Sequence, residues 1–235
     1  MGEHARISPS AMHRVSQCPA SVRLSEQVPY RPGGPAAQAG TIMHSAFERQ
    51  LLGEGHLTDD ELLALEDLEV APKYAYRLVD DAVAAARNVL DRHRAVDFLT
   101  ETRVHPGRAI GYEGQLWGTA DLIGIGQDEV LIVGDAKFGR GLVSPELNDQ
   151  MLTYAVGALE IIDFEPKKIA LAIFQPVLFG ARPKVWECSI DIIGQYRDHL
   201  AMVCDMANDP AIEPTPSEDA CRWCPALKIC PTQAK

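Results

Sequence analysis

Apolar positions recur at helical spacing through roughly the first hundred residues and then change to strand-like alternation. Met43, Phe47 and Leu51 fall four apart, so a helix is predicted from Gly40-Thr41 to a stop at Gly53. His44 and Glu48 lie one turn apart at the edge of that stripe. Upstream, Ser8-Pro9 reads as a cap followed by proline at the first helical position, giving a short helix that ends near Cys18-Pro19. A loop rich in Pro and Gly spans 29–35. Thr58 to Glu61 has the form of a capping box before an acidic helix carrying Leu62, Leu65 and Leu68. Pro72 closes that helix, and an alanine-rich helix is predicted over 73–96.

Strands are predicted over 100–105, 111–116, 118–125 and 130–137, the last two joined as a hairpin across 126–129. A helix over 145–162, strands over 168–175 and 183–190, and a helix over 191–208 follow, then a tail rich in Pro and Cys. This order predicts an α/β fold with a mixed sheet in one domain: a helical part (1–99), an α/β core (100–208) and a cysteine-bearing tail (209–235).

The chemistry concentrates in Gly118-Thr-Ala-Asp121 and Gly134-Asp135-Ala136-Lys137. Asp135 and Lys137 are two apart on one strand and share a face. If Asp121 lies directly across the hairpin, the two carboxylates sit side by side, and paired residue numbers sum to 256. That register needs a bulge or five residues between Ile125 and Leu131, because a tight four-residue loop would put the acids on opposite faces. Paired carboxylates repel unless a cation or proton lies between them. Asp121, Asp135 and the backbone carbonyl of Ala136 offer the oxygen ligands that magnesium prefers. Such an ion activates water and polarises a phosphoryl oxygen, with Lys137 stabilising developing negative charge. Taken singly, each residue also has an ordinary structural role at a turn or strand end.

Composition narrows the field. The 235 residues carry a net charge of -11, with 46% hydrophobic and 23% charged residues, which excludes a disordered chain and a protein that coats nucleic acid by bulk positive charge. The start, MGEHARISPS, lacks the pattern of a signal peptide and no stretch is long enough to span a bilayer, so a cytoplasmic protein with no membrane partner is expected. In a reducing compartment six cysteines suggest metal ligation or burial rather than disulfides. Cys221, Cys224 and Cys230 form one cluster, and Cys18 beside Pro19 is the candidate fourth ligand. Cys188 and Cys204 fall in an apolar strand and a helix. There is no P-loop, dinucleotide fingerprint, HExxH or GxSxG element.

The GxxD, apolar strand and DxK elements resemble the PD-(D/E)XK nuclease superfamily, in particular its RecB-like exonuclease branch, although the usual motif proline is absent. The resemblance implies a restriction-endonuclease-like core, with the N-terminal helical segment and the cysteine-rich tail packed together. It also implies that His44 joins Asp121, Asp135 and Ala136 around Mg2+ or Mn2+, and that Gln150 and Tyr154 are the branch's QxxxY element, bonding DNA or supporting Lys137. Tyr154 buried beside Leu147 and Met151 is the plain alternative. Glu101 is a weaker candidate as an acid behind the metal ligands, and Glu48 either supports those ligands or faces solvent. One N-terminal and three C-terminal cysteines resemble the iron-sulfur subgroup, which implies a 4Fe-4S cluster, with Zn2+ the competing ligand of four thiolates.

The function expected from this resemblance is metal-dependent DNA exonuclease activity in recombination, repair or end processing, a phage origin being one expectation. It would act on single- or double-stranded DNA with free ends, with any helicase or recombination partner supplied separately. Two alternatives are a non-catalytic DNA-binding or recruitment module that keeps the fold and cluster, and a zinc-stapled interaction protein.

Overall fold

In the computed structural model, residues 5–29 and 32–233 are described; Tyr30 and Arg31 of the predicted 29–35 loop lie outside them. The chain forms α1 (Met12–Gln17), α2 (Ala20–Ser25), α3 (Pro35–Leu52), α4 (Asp59–Asp67) and α5 (Pro72–Arg92) before the first strand, β1 (Asp97–Val104). Then come α6 (Pro106–Ala109), β2 (Gly118–Gly126), β3 (Val130–Ala136), α7 (Asp149–Ala158), β4 (Lys168–Phe174), α8 (Pro176–Phe179), β5 (Lys184–Ser189), α9 (Ile190–Asn208) and α10 (Glu218–Arg222). The strands lie in sequence order in one sheet. β3 and β4 are parallel and the other neighbours antiparallel, so the sheet is mixed as expected.

Helices cover both faces. One apolar core joins Leu122, Ile132, Ala136 and Phe174 of the sheet to α3 and α5. The other joins Ile123, Leu131, Val133 and Ile173 to α1, α7 and α9. β3 is buried along its whole length, which is why its sequence reads as an unbroken apolar run.

Several predicted boundaries move for local reasons. α3 begins at Pro35 rather than at Gly40, because proline fills the first helical position and its missing N–H costs nothing there. Gly53 ends it in the left-handed region (φ 77), as predicted. The Thr58–Glu61 capping box forms in full. Pro72 opens α5 rather than closing α4.

The predicted strand over 111–116 is absent. Gly111 (φ 80) and Gly114 (φ 78) bend the chain through turns, and only Leu116 makes an isolated bridge, to Ile7. The helix predicted over 145–162 is shorter because Leu147 turns left-handed (φ 48) and Asn148 caps the first turn of α7.

The hairpin register is the one the chemistry needs. Ile125 pairs with Leu131 and Leu122 with Gly134, sums of 256, leaving five residues between Ile125 and Leu131. Asp128 (φ 61) and Glu129 (φ 58) are both left-handed, which closes a three-residue turn after Gly126 without glycine at its tip.

Candidate metal centre and cysteine quartet

The next step of the β2–β3 register places Asp121 opposite Asp135, and both are buried. Asp121 Oδ2 accepts a hydrogen bond from the Ala136 amide at 2.7 Å and faces His44 Nδ1 at 3.2 Å. α3 delivers that histidine because Met43 and Phe47, its neighbours on the helix, are anchored in the core. The His44 ring also meets Phe138 edge-on at 5.3 Å.

Asp135 is drawn to the other side of the site. Lys137 Nζ stands 2.6 Å from its Oδ2 as an ion pair, and Gln150 Nε2 donates to its Oδ1 at 2.8 Å. Lys137 in turn donates to Gln150 Oε1 at 3.1 Å, and Gln150 Nε2 reaches Tyr154 Oη at 3.4 Å. The QxxxY pair therefore holds the lysine and the acid. Tyr154 is buried in the same core as Met151, while Leu147 is exposed rather than packed beside it.

Glu101 is more central than its sequence position suggested. Ligand atoms of His44, Glu101 and Asp121 all lie within 4.8 Å of one another, the one such group among the described residues. Asp135 is outside that trio, so the four-ligand set of His44, Asp121, Asp135 and Ala136 is only partly assembled; Ala136 contributes its amide to Asp121. Pairing explains the arrival of Glu101: Thr100 faces Leu122 and Thr102 faces Ala120, which sets Glu101 against Asp121. Its backbone is left-handed (φ 42) in mid-strand, a costly conformation for a side chain of this kind. Glu48 accepts a hydrogen bond from Thr100 Oγ1 at 3.4 Å.

Burial and mutual repulsion perturb the acids of this cluster. Burial pushes the Glu101 carboxyl up to about 7, with the Asp121 charge adding to it. Burial pushes Asp135 up to about 6 despite Lys137, and Asp121 adds to it. Burial alone would lower His44, but the hydrogen bond to Asp121 and its charge raise it. Ligand atoms of His44, Glu101 and Asp121 crowd together, and these oxygen and imidazole donors suit magnesium or manganese. The residues fit such an ion.

Glu101 and Asp135 bind a proton more readily in the folded chain than in the unfolded one. The stability they leave intact below the usual carboxylate pKa is therefore lost as pH rises through about 6 and 7. Thermal melts of metal-free protein should show Tm falling from about pH 4 to about pH 7 and levelling off above that. In the Glu101→Gln, Asp135→Asn double variant the slope should flatten; an unchanged slope contradicts the assignment.

The two chain ends meet at the cysteines. Cys18 packs with Ala20 and Ala220, and Cys230 with Leu24, Ala226 and Cys224. None of the six cysteines is in a disulfide. Gln17, beside Cys18, is gripped from the tail: Thr215 Oγ1 donates to its carbonyl at 2.5 Å and Ser217 Oγ to its Oε1 at 2.8 Å. Ser217 also caps α10, which carries Cys221. Arg14 donates to Ser21 Oγ at 2.6 Å. Burial lowers its pKa, and the nearby Cys224 and Cys18 thiols oppose that. No three cysteine sulfurs among the described residues lie within 4.8 Å, whereas thiolates on one zinc ion stand about 3.8 Å apart. Of the four thiols, those of Cys18 and Cys224 act on the Arg14 guanidinium.

Two polar residues were not singled out from the sequence. Arg14 gave no signal beyond its place one turn before Cys18. Gln175 is buried and holds the loop after Lys137, accepting from Val143 N at 3.2 Å and donating to Gly139 O at 3.1 Å and Gly141 O at 2.6 Å.

Comparison with solved structures finds the crystal structure of SSO0001, 15% identical, with a TM-score of 0.38 over 99% of this chain and 89% of that one. Residues 4–235 match the family described as "Protein of unknown function (DUF2800)". The match spans almost the whole chain, and the protein belongs to the DUF2800 family.

Proposed function

We propose that this protein is a metal-dependent deoxyribonuclease of the RecB-like kind that hydrolyses phosphodiester bonds at free DNA ends. The observation that carries this reading is the convergence of His44, Glu101 and Asp121 beside the Asp135–Lys137–Gln150 network, at the end of one hairpin. His44, Glu101 and Asp121 would hold Mg2+ or Mn2+, with Asp135 completing the acidic wall. When bound, that ion supplies an activated water and polarises the scissile phosphate.

Lys137 is the cation nearest the acids, and its ammonium is placed to orient the attacking water and to balance charge on the phosphoryl oxygens. Gln150 fixes that ammonium from one side and Asp135 from the other, so the lysine loses little freedom when substrate arrives. Asp121 is fixed through the Ala136 amide. The products expected from the resemblance carry 5′-phosphate and 3′-hydroxyl ends.

The Cys18, Cys221, Cys224 and Cys230 quartet would carry a 4Fe-4S cluster, as the resemblance implies, with Zn2+ as the competitor. A cytoplasmic location is part of the same reading, and no helix among the described residues is long and apolar enough to cross a membrane.

Labelled linear and circular DNA, single- and double-stranded, incubated with Mg2+ or Mn2+ tests the proposal. Linear DNA should be shortened from its ends and circular DNA spared. Binding without cleavage would instead favour a recruitment module, a reading that the intact Asp121, Asp135 and Lys137 oppose; neither binding nor cleavage would favour the interaction protein, for which the net charge of -11 is the best argument.

A further inference from the structure

A chain of polar side chains runs from the cysteine quartet to α7, and neither the proposed chemistry nor the cysteine site by itself accounts for it. Ser217 Oγ donates to Gln17 Oε1 at 2.8 Å, which leaves the Gln17 amide group facing His13 Nε2 at 2.9 Å. His13 Nδ1 lies 3.3 Å from Asp149 Oδ2. With Nε2 accepting from Gln17, the neutral imidazole carries its proton on Nδ1 and donates to Asp149, so every link points the same way. Asp149 opens α7, and its carbonyl accepts from Thr153 Oγ1 at 2.6 Å and Tyr196 Oη at 2.9 Å. The next residue is Gln150, which clamps Asp135 and Lys137.

Both halves of the quartet feed this chain. Gln17 precedes Cys18, and Ser217 caps the helix that bears Cys221. The same segment is tied to α7 through packing, since Met12 and Val15 share a core with Met151, Tyr154 and Ala155.

We infer that His13 is a positioning residue: it couples the closed state of the cysteine-bearing chain ends to the alignment of Gln150, and so to Lys137. Release of the tail would free Gln17, loosen His13 from Asp149 and let the first turn of α7 drift. The part that concerns catalysis rests on the nuclease reading above; the coupling itself does not.

The test is a double-mutant cycle in the full chain, read by amide hydrogen exchange at 152–155 of α7. His13→Ala should raise exchange there about fivefold, the effect of one net hydrogen bond. Ser217→Ala, which leaves all four thiols in place, should raise it by a similar factor, but should add nothing in the His13→Ala background. His13→Gln offers an acceptor and a donor in the same order and should restore protection. In DNA cleavage, His13→Ala should lower kcat about fivefold with KM and cysteine-bound metal content unchanged.

Additive effects of the two substitutions, or exchange at 152–155 indifferent to Ser217, would overturn the coupling whether or not DNA is cleaved. Coupled exchange in a protein that cleaves no DNA would leave the inference standing and remove the nuclease reading instead.

Discussion

Lys137→Ala and Asp135→Asn should each reduce DNA cleavage at least about a thousandfold, while neither unfolds the protein. Lys137 is half-buried and its polar head is held by Asp135 and Gln150, so its removal leaves the apolar layers intact. What it removes is the one ammonium beside a wall of acids. The magnitude follows from analogous charge-stabilising groups, whose loss typically costs a hundredfold to a thousandfold each, about 3 to 4 kcal/mol. In the proposed mechanism the lysine also orients the nucleophile.

Asp135→Asn gives the sharper contrast. Its buried carboxyl is pushed up to about 6 by desolvation, so a neutral isostere relieves a folded-state penalty above that pH. Activity should vanish while Tm at about pH 8 stays level or rises. Parallel loss of activity and Tm would make Asp135 structural. Glu101→Gln should weaken Mn2+ binding without equal damage to the Lys137–Gln150 contact, because Glu101 approaches from β1 on the side of His44.

The second large effect belongs to the chain ends. Cys18→Ser and Cys221→Ser should destabilise the protein by similar amounts, about 3 kcal/mol or more, because each removes one corner of a site that joins residue 18 to residues 221–230. The apolar contacts left there are few: Cys18 with Ala20 and Ala220, and Leu24 with Ala226 and Cys230. Besides them, the segments are tied by the hydrogen bonds from Thr215 and Ser217 to Gln17.

Soluble protein should fall, the midpoint of chemical denaturation should shift downward, and the loss should track bound metal. Cys188→Ser and Cys204→Ser should retain the metal, since those thiols sit in β5 and α9 and burial pushes both up to about 11. Anaerobically purified protein should be brown, with absorption near about 400 nm from an iron-sulfur cluster. A colourless protein with one zinc per chain would keep the staple and exchange its metal. Full stability in Cys221→Ser would remove the staple altogether.

The parts legible in the sequence were those governed by local periodicity and short-range chemistry. The stripe of Met43, Phe47 and Leu51, the Thr58–Glu61 box and the two hairpin strands all formed where expected. The 256 register, the one that sets Asp121 directly across from Asp135, also formed.

The rest depended on long-range contacts. Residues 111–116 have a passable strand pattern, yet two left-handed glycines and the bridge from Leu116 to Ile7 decide the path. Glu101 gains its place from pairing between β1 and β2, a register that residue spacing alone does not fix. The signal was present in principle: once Thr102 is set against Ala120, Glu101 must oppose Asp121. The Ser217–Gln17–His13–Asp149 chain links residues about two hundred positions apart through small polar side chains, which carry no periodic signature.

The most direct test of the central claim is an anomalous diffraction map from crystals soaked in Mn2+. One manganese peak per chain should lie among His44, Glu101 and Asp121, with the Asp135 carboxylate turned toward it, and the peak should disappear in Asp121→Ala. A map at saturating manganese with no peak in that pocket, and the four side chains pointing apart, would contradict the account.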